Sequence, residues 1–355
     1  MAIPLAFLMC SERSGSNFIT ALLNGHPEIS GPPPSHLFRL FGLNHSRYEP
    51  LSDDRNWDAF RTDFLDAFEA MPGRWSSTVN PHLFDVGPPE RSIAKVLQSV
   101  YLAECEADGA RLVFVKENQL HTFLPFVLEN WPGARFVHQI RDPRDVALSW
   151  LETGNMPGGI EKAICQWIAD QSGSLDAQRQ LIDPPNLLSV RYEDILADPH
   201  GAARRFCDFL GVEFRGEMLD FYRNGRTKDN ASLYGAWNNL DKPVLSGNSF
   251  KFRKGLTPAE IEYVELRCAD LMSEFGYALE SAARDCPARE RLERCKKIEP
   301  DVRLSKAHQY ESVDDEVMRK RRKALIERVI SRLPQAGGAV LAPGSNPTTG
   351  GAQDA

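Results

Sequence analysis

The sequence lacks the usual signatures of nucleotide and metal sites. No Gly-Lys pair occurs in its 355 residues, so the Walker loop G-x-x-x-x-G-K-[ST] is absent. The dinucleotide fingerprint G-x-G-x-x-G is absent too, which argues against a nicotinamide-binding Rossmann site. The seven cysteines are odd in number and form no C-x-x-C pair. We therefore expect reduced thiols, with neither a disulfide framework nor a zinc site.

Long apolar runs and a basic excess are also missing. No stretch approaches 18 consecutive apolar residues, and the apolar N-terminus has neither a basic segment nor an A-x-A-like exit. The net charge is −7, which argues against a nucleic-acid partner. We expect a cytoplasmic protein without a membrane span, in which local basic clusters provide any affinity for anions. The oligomeric state is not predictable from these features.

Short apolar segments, each followed by a polar turn and a helix-like pattern, recur along the chain. They predict buried strands at residues 5–10, 111–115, 135–140 and 187–192. Such alternation is typical of a parallel sheet covered on both faces. The sequence therefore predicts an α/β fold in which helices flank a parallel sheet.

Helical patterns without strands predict additions to this core. An insertion, roughly residues 48–108, contains an amphipathic pattern at 57–71. Residues 284–333 are strongly charged and predict a helical extension, and 334–355 have the composition of a disordered tail. We therefore predict one main domain, residues 1–283, that contains the insertion and is followed by the extension.

The stretch LAFLMCSERSGS at residues 5–16 leads from a predicted strand into a turn of small residues, and a helix-like segment follows. Backbone N–H groups, hydroxyls and a helix N-terminus in this arrangement bind phosphate- or sulfate-like groups, and Arg13 adds a full charge. Gly15 allows the backbone to approach an oxyanion closely. By itself the stretch is equally compatible with a tight β–α turn that binds no ligand and needs Gly15 only for its backbone conformation.

Three further stretches combine basic or aromatic residues with predicted strand ends. In RFVHQIRDPRDVALSW, Arg141 follows a strand and Ser149 lies eight residues later on a helix, so both can contact one phosphate. In VRYEDI, Tyr192 ends a predicted strand, where an aromatic ring can stack on a purine. The FKFRKG segment at 250–255 contains three basic residues. The alternatives are a capped charged turn at Arg141 and a solvated charge run at 250–255.

Together the four motifs SERSGSNF, RDPRDVALSW, VRYEDI and FRKG resemble those of sulfotransferases of the bacterial type, which use 3′-phosphoadenylyl sulfate (PAPS). They occur in the order found in that family, and the resemblance spans residues 5–276. It implies a P-loop-like α/β fold and no required metal. It also implies transfer of a sulfuryl group from PAPS to a hydroxyl of a small-molecule, glycan or lipid acceptor.

The resemblance also assigns binding roles for PAPS. The 5′-phosphosulfate is held by the loop residues Arg13, Ser14, Gly15, Ser16 and Asn17. The 3′-phosphate is held by Arg141, Ser149, Arg253, Lys254 and Gly255. Tyr192 corresponds to the residue near the adenine. Arginine at position 13 suits a bidentate contact with an oxyanion.

Sulfuryl transfer requires in-line attack of an acceptor hydroxyl on sulfur, with 3′-phosphoadenosine 5′-phosphate (PAP) leaving. By analogy with phosphoryl transfer, negative charge accumulates on the leaving bridging oxygen, so nearby cations contribute most. Arg13 and Lys116, the latter at the end of a predicted strand, are the catalytic candidates for this stabilisation. The alternative for Lys116 is a buried structural lysine paired with an acid.

The general base is the point at which the sequence departs from the family. Related bacterial enzymes resemble P-P-E-x-H-L after the first helix, but Pro34 occupies the glutamate position here. His36 is then the nearest group that accepts a proton near neutral pH. Animal members have a histidine where this chain has Asn118. Glu117 and His121 are the other candidates for the base.

Two other functions fit part of this pattern. A P-loop-like kinase is disfavoured because the Walker lysine and a magnesium-binding aspartate are missing. A catalytically inactive nucleotide-binding or interaction protein is the other alternative, in which Pro34 and Asn118 mark a lost base.

Aromatic residues of the insertion and the segment before it are candidates for the acceptor pocket, with ordinary core as the alternative. They are Phe38, Phe41, Tyr48, Trp57 and Phe60.

Overall fold

A computed structural model describes residues 4–153, 156–233, 237, 239–245, 247–299, 302–303 and 312–333. Its sheet has five parallel strands in the order β2-β3-β1-β4-β5. The strands are β1 (Leu5–Cys10), β2 (Ile29–Ser30), β3 (Leu112–Lys116), β4 (Arg135–Ile140) and β5 (Leu187–Arg191). The predicted α/β fold with a parallel sheet is thus confirmed. The predicted tail at 334–355 lies outside the described residues.

Helices follow the strands on both faces of the sheet. In the first half they are α1 (Ser16–Asn24), α2 (Leu37–Asn44), α3 (Asp54–Glu69), α4 (Ile93–Ala107), α5 (Leu124–Asn130), α6 (Pro143–Glu152) and α7 (Gly159–Gln180). In the second half they are α8 (Tyr192–Ala197), α9 (Pro199–Leu210), α10 (Gly225–Ala231), α11 (Phe252–Gly255), α12 (Pro258–Glu274), α13 (Ala288–Ile298) and α14 (Val313–Ser331). No helix in the described part of the chain is long and apolar enough to cross a membrane.

The central strand β1 is apolar throughout and buried on both faces. Because successive side chains of a strand point to opposite faces, Leu5, Phe7 and Met9 pack with α2 to α5. Ala6, Leu8 and Cys10 face the opposite side and pack with α1 and α9. Because both faces of β1 are buried, a change in its register would misplace side chains on both sides of the sheet. The register of β1 is therefore fixed, and with it the position of the loop that follows.

The aromatic residues proposed for the acceptor pocket belong to this core instead. Each is at most 3% exposed, and the set comprises Phe38, Phe41, Tyr48, Trp57 and Phe60. Their rings pack on one another, with Phe41 and Phe60 centroids 5.3 Å apart at 88°. The acceptor-pocket interpretation of these residues is therefore wrong, because the helices of the insertion have to bury their apolar faces against the sheet.

The C-terminal helix α14 packs on α2 and α3 and not on the far side of the sheet. Leu325 and Val329 of α14 are buried in the same apolar cluster as Phe41 and Phe64. Three arginines of its flank pair with acids of α3, including Arg328 with Asp63 at 2.7 Å. The division into a main domain at 1–283 and an extension at 284–333 stays a prediction.

Candidate functional site

The loop after β1 has the backbone of an anion-binding turn. Arg13 and Gly15 have positive φ angles, 62° and 88°, and Gly15 precedes the first turn of α1. Ser14 is fully buried, and its carbonyl oxygen accepts a 2.6 Å hydrogen bond from Gln139 Nε2 at the end of β4. Ser16 begins α1, so the helix N-terminus opens directly onto the loop.

The loop brings together residues that are distant in sequence. Arg13 contacts both Arg141 and Ser149 there. Arg13 Nε donates to Ser149 Oγ at 3.2 Å, and Arg141 Nη1 donates to the Arg13 carbonyl oxygen at 2.9 Å. Strand β4 lies beside β1, so the residue after β4 comes next to the loop after β1. The structure therefore brings two predicted cationic contacts and one hydroxyl to the same place.

Tyr192 completes this corner, but as the first residue of α8 and not as the last residue of a strand. Its ring lies against the loop so closely that a Cβ on Gly15 would approach ring atom Cε2 to 2.4 Å. The guanidinium of Arg141 lies 4.6 Å from the ring centroid, and Asn248 Nδ2 donates to the hydroxyl at 2.8 Å. Gly15 is thus required both by its φ angle and by the neighbouring ring.

The turn after β4 is held by buried acid–base contacts. Asp142 caps α6 by accepting from the Arg144 backbone N–H at 2.9 Å, and it pairs with the Arg144 guanidinium at 2.7 Å. Asp145 accepts backbone hydrogen bonds from Phe250 at 2.6 Å and from Phe252 at 2.8 Å. Arg144 and Asp145 therefore fix the turn and the 250–252 segment, roles that the sequence motif alone does not distinguish.

The segment 250–255 contributes one cation to the site, and it is not the predicted one. Lys251 lines the cleft, whereas Arg253 pairs with Glu280 at 2.6 Å and is half exposed. Lys254 is exposed, and Gly255 packs against Leu148. The structure thus does not bring Arg253, Lys254 or Gly255 into the lining, and their contact with a phosphate stays a prediction.

Together these elements enclose a cleft of about 530 Å³ above the ends of β1, β4 and β5. Its lining is mostly polar and comprises Arg13, Gly15, Ser16, Asn17, Phe18, Arg141, Asp145, Leu148, Ser149, Glu152, Thr153, Tyr192, Trp237, Asn239, Leu240, Asn248 and Lys251. A ligand crevice at the carboxyl ends of parallel strands is where open α/β sheets bind their ligands.

On the other side of the loop, a second group of ionisable residues surrounds the end of β3. Lys116 is 6% exposed, and its burial lowers the pKa below the ordinary value, although Glu117 and Glu12 oppose this. His36 Nδ1 lies 3.5 Å from Glu117 Oε2, and Ser35 Oγ donates to Glu117 Oε1 at 3.1 Å. Burial lowers the pKa of His36, so the imidazole is neutral at pH 7.

The remaining candidates for the base occupy other places. Asn118 Nδ2 donates to Glu12 Oε1 at 3.3 Å. His121 packs against α7, where a Cβ on Gly173 would meet its ring at 2.3 Å, and burial lowers its pKa. Of the three acid–base candidates, the structure pairs His36 with Glu117 and separates His121 from them.

Comparison with known proteins identifies the chain. The model of the sulfotransferase family matches residues 4–216. This chain belongs to the sulfotransferase family. The predicted membership of this family is thereby confirmed, and three of the four motifs lie within the matched residues. All of the matched residues lie before α10, so α10 to α14 fall outside the match.

Curated relatives and solved structures of the family are similar to part or most of the chain. It is 28% identical over 190 residues to omega-hydroxy-beta-dihydromenaquinone-9 sulfotransferase Stf3 of Mycobacterium tuberculosis and of Mycobacterium bovis, covering 48% of this chain. The chain spans about half the length, 47%, of these relatives.

Two solved sulfotransferase domains share the fold, each with a TM-score of 0.56. The domain of the olefin synthase of Synechococcus PCC 7002 is 24% identical and covers 78% of this chain and 95% of that domain. The domain from the curacin biosynthetic pathway is 21% identical and covers 79% of this chain and 100% of that domain.

Proposed function

We propose that this sulfotransferase-family chain transfers a sulfuryl group from PAPS to the hydroxyl of an acceptor. One observation carries the proposal: Arg13 and Arg141, from the ends of neighbouring strands, converge with Ser149 on one polar cleft. PAPS carries anionic groups on both sides of its adenosine, so a cleft that combines arginine side chains with an aromatic ring suits its charge and its base.

Unsatisfied polar atoms support the fit to a phosphosulfate. Among the described residues, Ser14 Oγ, Asn17 Oδ1 and Arg141 Nε are buried without a hydrogen-bond partner. Buried polar atoms of this kind are costly unless a ligand satisfies them. Arg141, which lines the cleft, can donate from Nε to an anionic oxygen, and the N-terminus of α1 adds the partial positive charge of its backbone.

The second group of ionisable residues supplies the chemistry of transfer. The acceptor oxygen forms a bond to sulfur while the bond from sulfur to the bridging oxygen of PAP breaks. The acceptor proton passes to His36, whose Nδ1 lies 3.5 Å from Glu117 Oε2, so the carboxylate stabilises the imidazolium that forms. Arg13 and Lys116 stabilise the charge that develops on the leaving oxygen.

A hydroxyl acceptor agrees with the relatives at the level of chemistry. The curated mycobacterial relatives are named for sulfation of an omega-hydroxylated dihydromenaquinone. We propose the same kind of acceptor group, an alcohol, for this chain.

Calorimetry with PAP and turnover with ³⁵S-labelled PAPS and a panel of alcohols test the proposal on the full chain. We expect binding of PAP and transfer of label to at least one alcohol. Binding of PAP without turnover would favour an inactive nucleotide-binding protein, and transfer of phosphate from ATP would favour a kinase. A folded chain that does not bind PAP contradicts the proposal.

A further inference from the structure

We propose that helix α14 forms one wall of the acceptor site and that the acceptor has an apolar segment about the size of benzene beside its hydroxyl. The inference rests on the proposed function. It concerns a cavity of about 160 Å³ between α2, α3 and α14. Its apolar walls include Leu40, Leu43, Ala67, Leu325, Ile326 and Ile330, and His36 is part of its lining.

The cavity ends at the proposed base. His36 has a side chain that is 22% exposed and faces Glu117, whose side chain is fully buried. Glu117 Oε2 and His36 Nδ1 are buried without a hydrogen-bond partner among the described residues. An alcohol in the cavity lies beside an imidazole whose Nδ1 is 3.5 Å from a carboxylate oxygen, an arrangement suited to a general base.

Helix α14 presents a continuous face to this cavity. Arg322, Ile326 and Ile330 are spaced four residues apart and thus lie on one side of the helix. Leu325, which is 2% exposed, adds to the same wall. The polar side chains of Ser35, Arg39, Asn44 and Arg322 also line the cavity, but most of its surface is apolar. It therefore favours a hydrocarbon segment over a sugar, whose hydroxyls would lose their hydrogen bonds to water.

The position of α14 is fixed by charged contacts that lie outside the cavity. Arg332 Nε donates to Asp63 Oδ2 at 2.8 Å, and Arg321 pairs with Asp66 at 2.9 Å. Arg47 Nη1 donates to the Ile330 carbonyl oxygen at 2.7 Å. Because Asp63 is itself buried, these pairs hold the helix in one register against α3.

A cavity of this size limits the acceptor group. Apolar cavities of about 150 Å³ admit benzene, so the segment next to the hydroxyl has roughly six carbons. A smaller cavity of about 40 Å³ adjoins the co-substrate cleft near Asn17 and Pro34. None of its described lining residues accepts a proton near neutral pH, which is why the cavity at His36 is the better candidate.

Binding of 1-hexanol to the full chain, measured by saturation-transfer NMR with and without PAP, tests the inference. We expect 1-hexanol to bind and glycerol not to bind. Ile326→Trp fills the cavity and should weaken 1-hexanol binding at least tenfold while leaving the affinity for PAP unchanged. Val317→Trp, on the exposed side of the same helix, is the matched control and should change neither.

The outcomes separate this inference from the proposed function. If PAP does not bind, the proposed function fails, and 1-hexanol binding alone still reports on the cavity. If PAP binds but 1-hexanol does not, the inference is overturned. It is also overturned if 1-hexanol binds the Ile326→Trp variant as tightly as it binds the parent protein. Should Ile326→Trp not fold, Leu43→Trp fills the cavity from α2 and is tested for the same loss of 1-hexanol binding.

Discussion

The two sides of the loop after β1 are built differently. Towards β4 and β5 lies a wide polar cleft with two arginines and a hydroxyl, whose residues come from contiguous sequence motifs. Towards β3 and β2 lies a compact group of buried ionisable residues, in which Glu117 contacts both Ser35 and His36. Under the proposed function, the first side binds the anionic co-substrate and the second side takes the proton of the acceptor.

The difference has a physical origin. Anion binding depends on charge and on backbone N–H groups, so an arginine retains its function in a cleft open to water. A general base must be unprotonated at the working pH and held within reach of the proton that it takes, and a buried imidazole beside a carboxylate meets both conditions. The acid–base group accordingly lies among apolar helices, whereas the anion site lies at the surface end of the sheet.

Removal of the proposed base should have the largest effect on turnover. We expect His36→Ala to lower kcat about 10²–10⁴-fold, the usual contribution of a general base. The affinity for PAP in calorimetry should stay unchanged. His121→Ala is the control, since His121 packs on α7 and should retain turnover. An equal loss in both variants would contradict the assignment of the base.

Removal of Arg141 tests the anion side. Loss of its charged hydrogen bonds should weaken PAP binding about 100-fold, which corresponds to about 3 kcal/mol. Arg253→Ala is the matched control, because that guanidinium is half exposed and paired with Glu280. It should change the affinity less than about threefold. Equal losses would show instead that Arg253 reaches the nucleotide, as the family resemblance implies.

Gly15→Ala tests whether the loop needs a close approach or only a left-handed backbone. The substitution incurs the cost of a positive φ, about 1 kcal/mol, and also a clash with Tyr192. Gly109→Ala incurs only the cost of a positive φ angle, since no atom lies within 4 Å of its added Cβ. We expect PAP binding about tenfold weaker in Gly15→Ala alone, a loss of about 1.4 kcal/mol. Comparable melting temperatures would confirm that both variants fold, and unchanged affinity in Gly15→Ala would contradict the close approach.

The smallest expected effect is on the pH profile of the acceptor side. Burial lowers the pKa of His36 below 6.5 and that of Lys116 below 10.5. The base acts when neutral and the lysine when charged, so kcat/KM should rise with pH through the first pKa and fall through the second. Because Glu117 raises the pKa of His36, Glu117→Gln should move the acid limb to lower pH. An unmoved acid limb would rule out His36 as the titrating group.

Much of the fold was predictable because its signals are local. An apolar run predicts a buried strand whichever strands it pairs with. The observed ends of β3 and β5 accordingly differ from the predicted ends by only one residue. The two-residue strand β2 was not predicted, because Ile29–Ser30 is too short to show a periodicity. Tyr192 was assigned to a strand although it begins α8, a boundary that propensity does not resolve.

The candidate site was predictable to a lesser degree. Lys251 and Arg253 lie two residues apart, and only the backbone contacts of Asp145 with that segment decide which of them faces the cleft. The acceptor-side aromatics illustrate the same limit, since Phe38 and Phe60 are buried in the core and line no site. The type of a residue determines what it can bind, but the direction in which its side chain points depends on tertiary packing.

The sequence alone determined the parallel class of the sheet and where its first loop lies, because both follow from residue type and local periodicity, and the same residue types predict that the loop binds an anion. The strand order decided that Arg141 lies beside Arg13, by placing β4 next to β1. Packing of α14 on α2 and α3 brought residues near position 326 to a cavity lined by His36. Contacts across nearly 300 residues depend on how apolar faces and charged pairs are buried together, which no local pattern encodes.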